Sequence, residues 1–339
     1  MSEENYEEEW EDIFESTEED IDNFEEYVEN KGEGYKTPNF PILEEKVEGL
    51  EAGMYLFAGE SNSGKTALMM NMLFDLCTCE ENNLFGVYYS LDDSRNEIFP
   101  RFIAMDQMIP IGAVSKPKRY QDKIDDLDEK AVEYEEYLDK RKIGIERMRE
   151  LKTKLKILDG NRIKSAEQLH SHIEKVKIFL EAEAPEKNLI VAIDALNDIR
   201  FSEKRLKPGN ELNSEIAKTV KGWATEFDIP IFGSCHLRKI NGNRRPVLDD
   251  LKESGEYVYE ASLTWLVHNE VSKNKQASNI YFNITDSEEK MPILEIDWAK
   301  NKKSSFKGRT YCYFLPEMSK LTECDKEASK RFDALIYEN

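Results

Sequence analysis

At 339 residues, with 40% hydrophobic residues and a formal net charge of −22, the chain is long enough to bury a substantial core, as one large domain or two small ones. No run approaches the roughly 18 uninterrupted apolar residues of a membrane span, and the opening "MSEENYEEEW" is the reverse of a basic-then-apolar signal peptide. Five cysteines, an odd number with no C-x-x-C pair, argue against a disulfide framework; the expected compartment is a reducing cytoplasm, the host's if the source is viral.

Residues 1–30 hold fifteen Asp or Glu and no Lys or Arg, which leaves only −7 for the rest of the chain. So mildly acidic a body exerts no bulk attraction on nucleic acid, and any such binding has to be local. Within the acidic head, Trp10, Phe14, Thr17, Ile21, Phe24 and Val28 recur at alternating spacings of four and three, one stripe of a helix. A segment this charged can stay disordered, or its stripe can dock on the body or on a neighbouring subunit. "NKGEGYKTPNF" breaks the helix, which sets the expected division at residues 1–35 and 36–339.

From Met54 the chain alternates short apolar runs with amphipathic helices. "MYLFAG" precedes the helical "GKTALMMNMLFDL"; "LFGVYYSL" leads into "SRNEIFPRFIAMDQ"; "LIVAID" precedes "NSEIAKTVKGWATEF", and "IPIFGSC" follows. This pattern predicts an α/β fold, a mostly parallel central sheet with helices on both faces. "SLTWLVHN", "ILEIDWAK" and "TYCYFL" are predicted strands that extend the sheet. Residues 121–155 are highly charged, and Ile124, Leu127, Ala131, Tyr134 and Leu138 fall three and four apart. They predict a long surface helix or helical hairpin inserted between two strands, acting as a solvated spacer or as a binding element.

"GESNSGKT", Gly59 to Thr66, matches G-x-x-x-x-G-K-[ST] and lies between a strand and a helix, as a phosphate-binding loop requires. Gly59, Ser63 and Gly64 let backbone N–H groups and the helix N-terminus face phosphate oxygens. Lys65 is expected on the β- and γ-phosphates of ATP and Thr66 on Mg²⁺. Asp194, at the end of "NLIVAID", fits the second metal-side carboxylate. Asp92 or Asp93 in "YYSLDDS" suits orientation of the attacking water, or else caps the next helix. His236, at the tip of "IPIFGSCHL", stands where a γ-phosphate sensor would, or is an ordinary structural histidine. Near the C-terminus, "WAKNKKSSFKGRT" concentrates five cations without a carboxylate.

With these residues assembled, the chain resembles the RecA-type motor domain of DnaB-type replicative helicases. "TPNFPILEEKVEGLEAGMYLFAGESNSGKTA", "YYSLDDS", "RPVLDDLKESG" and "WAKNKKSSFKGRT" follow that family's motifs in order, from about Pro38 to Phe314. The resemblance implies a P-loop ATPase that forms a ring or filament, a hexamer in this family, and acts as a helicase or translocase on single-stranded DNA. It puts Asp92 on the catalytic glutamate, Asp194 on the metal-side aspartate and His236 on a glutamine that couples nucleotide state to DNA. Lys252, Glu253 and Gly255 match a loop facing the nucleic-acid backbone. Lys300 and Lys302 match basic residues that reach into the neighbouring subunit's site; the patch could instead touch DNA or form a solvated hairpin. Aspartate for glutamate, lysine for arginine and histidine for glutamine together point to slow hydrolysis, or to a protein that uses ATP more as an assembly switch, with a pH dependence near 6 to 7 from His236. The segment ahead of the P-loop is too short for the family's N-terminal domain, so a stand-alone motor is expected. Two other functions fit the residues: a RecA-like recombination or repair ATPase, and an ATP-binding regulator whose residues 1–30 bind a replication, recombination or other protein partner.

Overall fold

The structure is a computed structural model that describes residues 17–26, 28–29, 34–126, 128–163, 165–242, 244–251, 255–284 and 287–337. The chain divides between Gly34 and Tyr35. In the first unit, residues 17–26 and 28–29 are helical, with Ile21, Phe24 and Val28 exposed; Trp10 and Phe14 lie outside the described residues.

In the second unit, α1 (Pro41–Val47) leads to β1 (Gly53–Gly59), α2 (Lys65–Thr78), β2 (Leu84–Ser90) and α3 (Arg95–Gln107). Next come α4 (Ile111–Ser115), α5 (Pro117–Asp125), α6 (Ala131–Glu150), β3 (Leu155–Asp159), α7 (Ala166–Glu183), β4 (Asn188–Asp194), α8 (Asn210–Glu226) and β5 (Pro230–His236). The last part comprises α9 (Gly255–Glu260), β6 (Leu263–His268), α10 (Glu270–Lys273), β7 (Tyr281–Asn283), β8 (Lys290–Asn301), β9 (Arg309–Leu315), β10 (Lys320–Glu323) and α11 (Lys326–Tyr337).

The strands form one sheet in the order β10-β9-β8-β6-β1-β5-β4-β2-β3, with β7 paired to β8. From β6 to β3 every pair is parallel; β8, β9 and β10 extend the sheet antiparallel. Its uninterrupted apolar runs follow from burial on both faces. Along β1, Tyr55 and Phe57 enter one core while Met54, Leu56 and Ala58 enter the other. The period of two is present; it is hidden in the sequence because both faces are dry.

The charged insertion is a helical hairpin rather than one long helix, since α5 ends at Asp125 and α6 starts at Ala131; Leu127, between them, lies outside the described residues. The hairpin packs on the body. Its own helices meet where Tyr134 packs edge-on against Tyr120 at 5.3 Å, and α6 reaches the body where Arg147 binds Asp106 of α3 at 3.0 Å and Gly144 lies against Ile103 and Gln107. Strand β3 and helix α7 carry no clear signal in the sequence. "LKILD" is short and includes two charged residues, Lys156 and Asp159, and it holds the sheet edge beside β2.

Candidate active site

The phosphate loop leaves the end of β1 in the middle of the sheet and enters α2. Gly64, the residue before α2, has φ 103°, and a Cβ there would sit 2.6 Å from Leu294 Cδ1. Only glycine meets both demands. At Gly59 a Cβ would come 2.8 Å from the Val267 carbonyl oxygen.

Parallel neighbours bring the other site residues to the same end of the strands, since Gly59 aligns with His236 of β5 and Ser90 of β2 with Asp194 of β4. Thr66 Oγ1 donates to Asp194 Oδ2 at 2.8 Å. Tyr88 donates to the same oxygen at 2.7 Å, and Ser234 Oγ donates to Asp194 Oδ1. Three hydroxyls thus fix a carboxylate that is 8% exposed, as a buried charge demands. Burial and the neighbouring Asp194 charge push the Tyr88 phenol well above its ordinary range, so it remains a donor. Neither Tyr88 nor Ser234 stands out in the sequence. Both lie in recognisable strands, but their role depends on β2 and β5 flanking β4.

Lys65 is buried, and its ammonium rests on the Glu60 carbonyl at 3.0 Å and on His236 Nδ1 at 3.4 Å. Burial lowers its pKa, opposed by Asp194, Cys235 and Asp92. The His236 backbone N–H donates to Asn197 Oδ1 at 3.0 Å, which fixes the strand tip. Partial burial first, then the Lys65 ammonium, hold the His236 imidazole below its ordinary value. The titration expected near pH 6 to 7 therefore moves lower.

Asp92 is exposed on the wall of a cavity of about 810 Å³ that Lys65, Thr66 and His236 also line. Asp93 is paired with Arg101 at 3.1 Å. Ser94 caps α3, with Glu97 completing a capping box, so neither aspartate fills the cap position. Thr66 and Asp194 present hard oxygen donors side by side, a pair that suits Mg²⁺ drawing its other ligands from phosphate and water.

Lys300 and Lys302 lie elsewhere. Thr264 near the start of β6 pairs with Lys300, whereas Gly59 aligns with Val267 near the end of β6. The two lysines are therefore at the opposite end of the strands from this chain's own phosphate loop. Lys300 Nζ donates to the carbonyls of Val258 and, at 2.8 Å, Tyr259, capping the end of α9; burial and the nearby Lys302 lower its pKa to about 8. Lys303 pairs with Glu51 at 3.0 Å, and Lys302 is exposed. Lys252 and Glu253 lie outside the described residues, and Gly255 opens α9.

Known proteins share this fold. The fold resembles that of a solved ATPase domain with a TM-score of 0.71 and 20% identity, over 91% of this chain and 98% of that one. It also resembles a DnaB-like replicative helicase described with its interactions with primase, at a TM-score of 0.69 and 20% identity, over 90% of this chain and 66% of that one. In sequence the chain is 25% identical to the replicative DNA helicase DnaB of Mycoplasma pneumoniae over 256 residues, 72% of this chain and 49% of that protein. The DnaB of Haemophilus influenzae is 22% identical over 326 residues, 95% of this chain and 62% of that protein. The chain thus spans about half the length of the first curated relatives it matches. Residues 36–323 match the DnaB-like helicase C terminal domain, and the chain belongs to that family.

Proposed function

We propose that this chain is an ATP-hydrolysing motor whose active sites lie between the subunits of a hexameric ring, and that it translocates on single-stranded DNA and separates strands. The observation that carries this reading is the 2.8 Å bond between Thr66 Oγ1 and Asp194 Oδ2 beside the buried Lys65. Magnesium held there would offset charge developing on the phosphate oxygens. The chain's own groups do the rest. Backbone N–H groups at the start of α2 hold the phosphates, Lys65 turns from the Glu60 carbonyl to the phosphoryl oxygens, and Asp92 orients water at the cavity wall. The position of Lys300 and Lys302, remote from their own phosphate loop, supports a contribution to a neighbour's site.

The test is ATP turnover with and without single-stranded DNA, in wild type and Lys65→Ala. DNA is expected to raise wild-type turnover, and Lys65→Ala to lower it by about 10²-fold or more. Turnover indifferent to DNA would overturn the motor reading. Electron microscopy with a non-hydrolysable nucleotide separates closed rings from the open filaments of a recombinase.

A further inference from the structure

Glu60, the second residue of the phosphate loop, has no phosphate-binding duty in the G-x-x-x-x-G-K-[ST] pattern. Its contacts join three separate elements. One carboxylate oxygen, Oε1, accepts the backbone N–H of Ile240 at 2.8 Å. The other, Oε2, pairs with Lys273 of α10 at 2.6 Å, both side chains being 17% exposed. Its carbonyl accepts the Lys65 ammonium. One residue therefore touches the phosphate-loop lysine through its backbone and the exit from β5 through its side chain.

That exit is itself built as a unit. Leu237 N donates to the Gly59 carbonyl at 3.1 Å, and Arg238 N to the Asp250 carbonyl at 3.3 Å. The fully buried Asp250 side chain is gripped by Arg238 at 3.0 Å and Arg244 at 2.6 Å. Asp250 Oδ2 also accepts the Val247 N–H at 2.9 Å. Leu237–Ile240 and Val247–Leu251 are thus tied together, and the chain runs from Leu251 directly into the positions whose sequence resembles a nucleic-acid loop.

We infer that Glu60 is a positioning residue that transmits phosphate-site occupancy to the segment after β5. The inference rests on the ATPase reading above. When Lys65 turns to phosphate the Glu60 carbonyl loses the ammonium and keeps only the Ser63 N–H at 3.2 Å, so the residue 60 backbone shifts with one restraint fewer. Its carboxylate, ion-paired with Lys273, carries that movement to Ile240. A short, partly buried contact of this kind transmits displacement because a packed neighbourhood does not absorb it. The link differs from the His236 strand tip, since it joins the loop by a side chain to a backbone N–H beyond it.

The test reads backbone hydrogen exchange in the full-length chain, with and without a non-hydrolysable ATP analogue, and needs no DNA. In wild type, exchange at Ile240 and Val247–Leu251 is expected to change by about threefold or more on nucleotide binding. Glu60→Ala and Glu60→Asp, the latter one methylene short of Ile240, are expected to reduce that change to below about 1.5-fold at saturating nucleotide. Glu60→Gln retains an amide oxygen for the Ile240 N–H but gives up the charge pair with Lys273, and is expected to keep about half of the wild-type change, between Glu60→Asp and wild type. A wild-type response in Glu60→Asp, or none in wild type itself despite bound nucleotide, overturns the inference. Failure of DNA to stimulate turnover would instead count against the motor reading and leave this result intact.

Discussion

Two histidines show how local environment decides chemistry here. His236 sets a ring nitrogen 3.4 Å from the Lys65 ammonium, and partial burial and that cation lower its pKa. His268, 4% exposed at the end of β6, is pushed down to about 3 by burial, with Arg245, Lys273 and Arg309 adding to it. For a base whose folded pKa is below its unfolded value, the unfolded chain takes up the proton first. Stability is therefore lost as pH falls through 6.5 towards the folded pKa. At pH 5 this group alone is expected to cost about 2 kcal/mol relative to about pH 7.5. Urea unfolding at both values should show wild type losing that much more than His268→Leu; equal losses would remove the burial argument.

Among the secondary-structure elements, the insertion between β2 and β3 shows how a charged sequence is fastened to a core. Its second helix, α6, is joined to the body through Arg147–Asp106 and through Gly144, where a Cβ would meet Ile103 Cγ2 and Gln107 Cγ at 2.7 Å. Glycine inside a helix is unfavourable by roughly 1 kcal/mol relative to alanine, so close helix approach is the reason for its place here. Gly144→Val is expected to destabilise by about 1–3 kcal/mol through overpacking, measured as a lower urea midpoint. An unchanged midpoint would mean that α6 moves away from α3 freely.

Across the sheet as a whole, strand polarity separates two sets of charged groups. Strand ends near Gly59, Ser90, Asp194 and His236 converge at one end, where open parallel sheets place their ligands. The exposed Lys302 sits at the other, its backbone N–H donating to the Ser262 carbonyl just ahead of β6. If it completes a neighbour's site, defects must complement across subunits. Lys65→Ala and Lys302→Ala, each weak alone, are expected to recover turnover several-fold when mixed, because mixed assemblies contain sites with one intact P-loop and one intact lysine. No gain on mixing, with mixed assemblies seen by native mass spectrometry, would count against a contribution in trans.

Contiguous residues encode the local chemistry of this chain: a glycine-lysine-threonine loop between a strand and a helix, the carboxylate ending "NLIVAID", and the apolar runs of a sheet buried on both faces. Such signals are legible because backbone geometry and burial constrain neighbours along the chain. The strand and helix at 155–183 leave weaker patterns. Long-range geometry alone settles that Tyr88 and Ser234 hold Asp194, that Lys300 caps α9, and that Glu60 reaches Ile240. Those contacts join residues from 40 to 180 positions apart, and strand order, which no local pattern encodes, is what brings them within bonding distance.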